Sequence, residues 1–329
     1  MTTPTLLEMT APLREDFSIP YHDFGPSTQR PKLALVAGVH GNELNGIFVL
    51  SRLAEYLQRI ADGTQATQRL NERIVIVPAV NVLGVNTRTR RWPFDKTDIN
   101  RMFPGYDAGE TTQRIANAVF QATHVAHYRI DVHSSNLDFE EVPQVRLYEP
   151  SEDESASAML FGLPAVIERT TDSALTSTLG HAWRSAGGEN FVIQAGRAGD
   201  LQLTHCERLF RALMAFLHHS GLVTGIELAA EDQDTHYFGL DQTFTLISEH
   251  AGLFVTPVQV GIWLQAGDLI GQVYDGFSGE RRAEVRAPVS GLLSGIRRQP
   301  LLYEGDLIAR IQTRTRLDGS RRSLRGQEQ

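Results

Sequence analysis

Residues 33–63 read LALVAGVHGNELNGIFVLSRLAEYLQRIADG, and this one stretch sets the class of fold. LALVAG, 33 to 38, is a short continuous apolar run of the kind a buried strand makes. After it, Leu44, Ile47, Phe48, Leu53, Tyr56, Leu57 and Ile60 recur at helical spacing, with Gly63 as the stop. A buried strand that feeds an amphipathic helix through a short polar loop is the building unit of an α/β sheet. The same alternation continues outward. RIVIVPAV (73–80) reads as a second strand, the run from Gln113 to Ala126 as a second long helix, and YRIDVH (128–133) as a third strand. QVRLYE, PAVIER and NFVIQAG are further strand candidates, with helices near 152–161, 176–186 and 203–220. The expected architecture is a mixed or mostly parallel sheet between two layers of helices.

After about residue 238 the pattern changes to short alternating strands broken by Gly, Pro and Asp: TFTLISEHAGLFVTPV, GDLIGQVYD, AEVRAPVSGLLSGI and EGDLIARIQ. No helical run remains, so a small all-β barrel or sandwich is expected there. Two turns of the form Gly-Asp-Leu-Ile, at 267–270 and 305–308, point to a weak internal duplication. The chain divides on this reading into an N-terminal extension (1–30), an α/β domain (31–237), a small β domain (238–313) and a basic, polar tail (314–329) expected to be disordered.

Composition narrows the function. A net charge of -8 and a pI near 5.8 create no field that gathers a polyanion, which argues against nucleic acid as a partner. Hydrophobic residues make up 41%, the mean hydropathy is -0.22, and no apolar run approaches the roughly 20 residues that span a bilayer. The first residues, MTTPTLLEMTAPLREDF, lack a basic n-region and a continuous apolar h-region, so the expectation is a cytoplasmic protein. Cys206 is the only cysteine, so no intrachain disulfide forms; within LTHCERLFRALMAFL it reads as a small buried hydrophobe.

The chemistry-bearing residues sit at strand ends. His40 follows the first strand and Glu43 opens the next helix, while His133 ends the third strand. In open α/β sheets ligands bind at that edge. Two imidazoles and one carboxylate make a hydrolytic zinc site with a position left open. Asp131, two residues before His133, points to the same side of the strand and can orient its imidazole. Between the second strand and the second helix lies NVLGVNTRTRRWPFDKTDINRMFPGYDAGE, an irregular stretch of a length that compact domains rarely carry without a function. It is rich in arginine and aromatic residues, and substrate contacts are expected from it.

GVHGNE (38–43), RRWPFDKTDINRMFPG (90–105) and DVHSS (131–135), followed by a β domain, together resemble the succinylglutamate desuccinylase/aspartoacylase family, relatives of the zinc carboxypeptidases. The resemblance spans nearly the whole chain in the family's order. It implies a three-layer sheet of zinc carboxypeptidase type and a small all-β barrel-sandwich domain. It also implies one Zn2+ per chain on His40, Glu43 and His133, Asn100 and Arg101 on a substrate carboxylate, and Arg90 or Arg91 polarising the scissile carbonyl, with Arg91 the favoured one. The chemistry of those residue types agrees. A guanidinium pairs bidentately with a carboxylate, and a donor aimed at a developing oxyanion supplies about 3 to 4 kcal/mol.

One position departs from the family. Where its members carry a glutamate that takes a proton from the attacking water, NFVIQAGRAGD places Gln194. A carboxamide orients water but accepts no proton near neutral pH. Three readings stand open: another carboxylate such as Glu189 serves, a different residue reaches in, or the chain binds its ligand with little turnover. Glu189 is offset from Gln194 by an odd number of residues and so faces the other way along a strand.

The β region also resembles biotinyl and lipoyl carrier modules through RAPVSGLLSGI and EGDLIARI. Carriers need a lysine at a hairpin tip, and the only lysines are Lys32 and Lys96, which excludes that use. A cap over the active-site mouth, with Tyr274 and Tyr303 within its reach, or a contact between copies in a homo-oligomer, remains. The expected activity is zinc-dependent amide hydrolysis in a small carboxylate-bearing substrate, of the N-acyl amino acid deacylase type. The alternatives are a carboxypeptidase-like metallopeptidase and a metal-binding pseudoenzyme.

Overall fold

The apolar runs of the sequence line up as neighbours in one large sheet. The computed structural model describes residues 4–13, 16–171, 176–228, 234–317 and 323–325. In chain order the elements that matter here are β1 (His22–Phe24), β2 (Leu33–Ala37), α1 (Leu44–Ala61), β3 (Ile74–Val77), α2 (Val82–Thr87), α3 (Thr111–Thr123), β4 (Tyr128–Ser135), β5 (Phe139–Tyr148), α4 (Glu152–Met159), β6 (Ala165–Arg169), α5 (Leu179–Arg184), β7 (Glu189–Arg197) and α6 (Leu203–His219). Within the sheet they run β1-β3-β2-β4-β7-β5-β6. The pairs β3/β2, β2/β4, β4/β7 and β5/β6 are parallel, whereas β1/β3 and β7/β5 are antiparallel. The sheet is therefore mixed, as expected.

Alternation of side chains sorts the core into two layers. Leu33, Leu35 and Ala37 of β2, with Ile74 and Ile76 of β3, join a cluster containing Val49, Leu50, Leu53 and Leu57 of α1 and Leu209, Leu213 and Phe216 of α6. Their neighbours Val36, Val75 and Val77 face a second cluster with Ile115 and Val119 of α3 and Leu179 and Trp183 of α5. Cys206 is buried and free, and burial pushes its thiol up to about 11. It belongs to the first cluster, the place its helical spacing predicts.

Three expected boundaries are corrected. The N-terminal stretch is not an extension outside the domain: β1 pairs with β3 and forms the edge of the sheet. The β region begins with β8 (Thr243–Ile247), β9 (Gly252–Val255), β10 (Leu269–Tyr274) and β11 (Arg281–Arg286) and continues with β12 (Gly291–Arg297), β13 (Leu301–Leu302) and β14 (Leu307–Gln312). It is not detached from the α/β part. The order β11-β10-β9-β13 forms its own sheet, but β8, β14 and β12 continue the large one, because β12 pairs with the first half of β5. The second half of β5 pairs with β6 instead, and Pro143, which has no N–H to donate, stands between the two pairings. In the tail expected to be disordered, Ser323–Arg325 runs parallel beside β8.

The β region nevertheless has its own apolar cluster, including Phe244, Phe254, Ile270, Leu293 and Ile308. The two Gly-Asp-Leu-Ile turns share one local hydrogen bond. Asp268 Oδ2 accepts from the Gln265 N–H at 2.7 Å, and Asp306 Oδ2 accepts from the Tyr303 N–H at 2.9 Å, just before β10 and β14.

Candidate active site

At the carboxyl end of β2 the chain must turn sharply into α1, and Gly41 lets it do so. A Cβ there would lie 2.2 Å from the backbone of Gly84 in α2, far inside van der Waals contact. This close approach brings the loop after β3 against the loop after β2. The Arg90 carbonyl accepts from the Gly41 N–H and from Asn81 Nδ2, which fixes Arg90 beside the turn. Glu43 occupies the N-cap of α1 without capping it, so its carboxylate is free to face the site.

His40, Glu43 and His133 are all buried, and their ligand atoms lie within 4.8 Å of one another. His40 Nδ1 is 2.7 Å from Glu43 Oε1 and His133 Nδ1 is 2.9 Å from Glu43 Oε2. The opposite nitrogen of each ring meets an aspartate: His40 Nε2 lies 3.1 Å from Asp98 Oδ1 and His133 Nε2 lies 2.9 Å from Asp131 Oδ2. Protons placed on Nε2 by those carboxylates leave both Nδ1 lone pairs turned toward Glu43. The donor set fits a divalent ion with bonds of about 2.0–2.2 Å. His40 Nδ1 supplies the test, since it is buried and makes no hydrogen bond even though Glu43 Oε1 is 2.7 Å away, so two acceptor atoms face each other where a cation satisfies both.

The same contacts set the charge of each group, and a cation bound at Nδ1 has to displace the proton that they favour on His133. Burial pushes the Glu43 carboxyl up, yet His40 and His133 hold it well below the ordinary range. Burial opposes ionisation of Asp98 too, but His40 and then Arg90 bring it down to about 2. For His133 burial works against the charged form, and Asp131 and Glu43 outweigh it, raising the imidazole well above its ordinary value.

The site opens into a cavity of about 570 Å3. Arg90 lines it and donates from Nη1 to Glu43 Oε1 at 3.0 Å. Arg91, the favoured of the two, is exposed and lies outside the lining; the local turn sends its side chain to solvent, so that preference is reversed. Asn100 and Arg101 both line the cavity. The Asn100 carbonyl oxygen accepts from the Leu179 N–H at the start of α5, which leaves its amide donors for a ligand. Gln194 also lines the cavity and stands in register with His133 across β7 and β4.

Glu189 does not replace it. It begins β7 at the other end of the strand, where Oε1 lies 3.1 Å from His127 Nε2. Tyr274 and Tyr303 do not line the cavity either; Tyr274 donates to Gln272, and Tyr303 is 73% exposed. From the β region it is Leu307 and Arg310 that reach the wall.

Several residues escaped the sequence reading. Asp98 precedes a short 3-10 turn whose Asn100 N–H it caps at 2.9 Å, and a short polar residue before such a turn is the available signal. Asp138, on the loop after β4, lines the cavity and its carboxylate has no side-chain partner among the described residues. Glu141 and Arg146 carry charge inside a strand that is buried along most of its length, a pattern that marks a polar cavity wall.

Comparisons with known proteins concern the same residues. Residues 29–220 match the family model described as the Succinylglutamate desuccinylase/Aspartoacylase catalytic domain. The chain is 30% identical over 291 residues to the N-alpha-acetyl-L-2,4-diaminobutyric acid deacetylase of Halomonas elongata, covering 85% of this chain and 82% of that protein. It is 29% identical over 203 residues to a succinylglutamate desuccinylase of Pseudomonas aeruginosa, covering 55% of this chain and 56% of that one. A crystal structure of a succinylglutamate desuccinylase/aspartoacylase from Rhodobacter sphaeroides shares the fold, with a TM-score of 0.72 at 22% identity over 91% of this chain and 90% of that one. Among the described residues no helix is long and apolar enough to cross a membrane.

Proposed function

We propose, because the chain belongs to the succinylglutamate desuccinylase/aspartoacylase family, that this amide hydrolase is a zinc-dependent deacylase of small N-acylated amino acids. One observation carries the reading: two buried imidazoles, each held through Nε2 by an aspartate, turn Nδ1 toward the carboxylate of Glu43. Lewis acidity toward the scissile carbonyl and the attacking water is what zinc bound there supplies.

The chain's own residues do the rest. The amide donors of Asn100 and the guanidinium of Arg101 grip the substrate carboxylate. Arg90 stabilises charge that develops on the carbonyl oxygen. Gln194 orients water without accepting its proton. Of the other carboxylates in the wall, Glu43 and Asp131 hold imidazoles and Glu141 is bound by two guanidiniums. Asp138 is the one with no side-chain partner among the described residues, and we assign the proton transfer to it. We read the β region as a barrel-sandwich module that closes the cavity wall and steadies this loop, since the Asp138 carbonyl accepts from the Arg298 and Gln299 N–H groups.

The test is elemental analysis of the purified chain together with a screen of N-acyl amino acids, before and after chelation. One zinc per chain and chelation-sensitive release of a free amino acid are expected. Stoichiometric zinc with no amide hydrolysed sinks the reading and leaves a binding protein; hydrolysis that survives metal removal sinks it as well.

A further inference from the structure

Behind the cavity wall, a chain of polar side chains ends at the loop that carries Asp138. Glu140, two residues on, is buried and does not line the cavity. Its Oε1 lies 2.6 Å from His205 Nε2 and accepts from Gln202 Nε2 at 3.1 Å, and its Oε2 accepts from Arg298 Nε. Arg298 therefore holds this segment twice, because its backbone N–H also donates to the Asp138 carbonyl at 2.7 Å. The rest of its guanidinium is anchored in the β region: Nη1 donates to the Val258 carbonyl and Nη2 to Gln259 Oε1, both at 2.9 Å.

Gln202, just before α6, passes the contact on. Its Oε1 accepts from the Arg197 N–H at 2.7 Å and from Asn45 Nδ2 at 3.3 Å, and its own N–H donates to Asn45 Oδ1 at 2.9 Å. Asn45 Nδ2 donates in addition to the Ala195 carbonyl at 3.1 Å. Asn45 stands two residues after Glu43 in the first turn of α1, and Ala195 follows Gln194 in β7. One run of hydrogen bonds thus joins the helix start at Glu43, the strand of Gln194 and the loop of Asp138. It fills the room left by a glycine: at Gly196, where φ is +68°, a Cβ would lie 2.1 Å from Gln202 Oε1, 2.7 Å from Asn45 Nδ2 and 3.0 Å from His205 Cδ2. Asn45 uses both amide protons and its carbonyl oxygen, and a satisfied polar network of this kind fixes one geometry.

We propose that Glu140, Gln202 and Arg298 are positioning residues for the proton transfer, and that the run of bonds they share with Asn45 sets the place of the Asp138 carboxylate relative to Glu43. None of the four lines the cavity, so none touches substrate, and they act through Asp138 alone. The need is physical. A proton is passed only within about 2.6–3.2 Å, and the Asp138 carboxylate has no side-chain partner of its own among the described residues to fix it. This rests on the assignment of proton transfer to Asp138.

The test is a double-mutant cycle on the zinc-loaded full chain, with Glu140→Gln and Arg298→Gln each made in the wild type and in Asp138→Asn. The substrate is the N-acyl amino acid that the wild type hydrolyses fastest. Each single variant is expected to lower kcat about 100-fold, the cost of displacing a reacting group by roughly 1 Å, with KM kept. In the Asp138→Asn background the same changes are expected to leave kcat nearly unchanged, since residues that act through one group are not additive. Hydrogen exchange runs beside the kinetics: exchange at residues 136–141 is expected to rise in Glu140→Gln and Arg298→Gln while β2 and β4 keep their wild-type protection. Loss by the same factor in both backgrounds, no loss in either, or a rise in exchange across the whole sheet overturns the positioning role and leaves Asp138 in place. A fully active Asp138→Asn, or a wild type that hydrolyses nothing, overturns the reading on which the proposal rests, and the positioning role falls with it.

Discussion

The two ends of one cavity solve opposite electrostatic problems. Around His40 and His133 stand three carboxylates, Glu43, Asp98 and Asp131, with Arg90 alone beside them as a fixed cation. Around Glu141 stand three arginines. One end therefore carries an excess of negative charge suited to a divalent cation, and the other an excess of positive charge suited to an anion. Buried charge left in excess specifies the sign of the partner that completes it. The first cluster grows from loops at the carboxyl edge of parallel strands. The second is built inside the strands, where β5 passes from pairing with β12 to pairing with β6.

The sharpest way to break the contrast is at the proton-transfer step. Asp138→Asn is expected to lower kcat by about 100- to 10,000-fold, the usual cost of losing a general base. Restoring a carboxylate through Gln194→Glu is expected to raise the wild-type rate and to rescue Asp138→Asn, and steady-state kinetics on one N-acyl amino acid reads both. An Asp138→Asn enzyme with full activity removes that assignment. Next in size, Arg90→Ala is expected to reduce kcat by about 100- to 1,000-fold, as loss of an oxyanion donor does, whereas Arg91→Ala, exposed to solvent, leaves kcat unchanged. Equal losses in the two variants would return the role to the loop as a whole.

The smallest effect concerns what joins the two regions. Glu140 lies beside His205 of α6 and also pairs with Arg298 of the β region. Burial opposes its charge, but His205 and Arg298 bring its pKa from 4.5 to about 2. A depressed carboxylate stabilises the fold fully above its unfolded pKa and loses that contribution as pH falls through the folded value. Urea unfolding of wild type and Glu140→Gln should therefore differ at pH 7, with the gap closing between about pH 4.5 and 2. A gap that persists at pH 2 places the effect in packing rather than charge.

Much of the fold was legible because its signals are local. LALVAG, RIVIVPAV and YRIDVH have the unbroken apolar character of strands covered on both faces, and they became β2, β3 and β4. The helical spacing of Leu53, Leu57 and Ile60 placed one face of α1 inward, and the structure adds Val49 and Leu50 to that buried face. His40, Glu43 and His133 were legible for the same reason, since each follows or closes a strand whose end is visible in the pattern. Their convergence in space is what the parallel register of β2 and β4 then supplies.

What the chain alone determined is the strand-loop-helix rhythm, the exclusion of intrachain disulfides and of a lysine-borne carrier group, and the residue types in the His40, Glu43 and His133 cluster that could hold a metal ion. Only the tertiary structure decided that Arg90 rather than Arg91 faces the cavity, that Asp98 backs His40, and that residues 22–24, 291–297 and 307–312 extend one sheet. Only it joined Arg310 to Glu141 across a glycine. The physical reason is range. Helical and strand periodicity is written in neighbouring residues, whereas the direction of the Arg90 guanidinium depends on a residue 47 positions away and the reach of Arg310 on one 169 positions away.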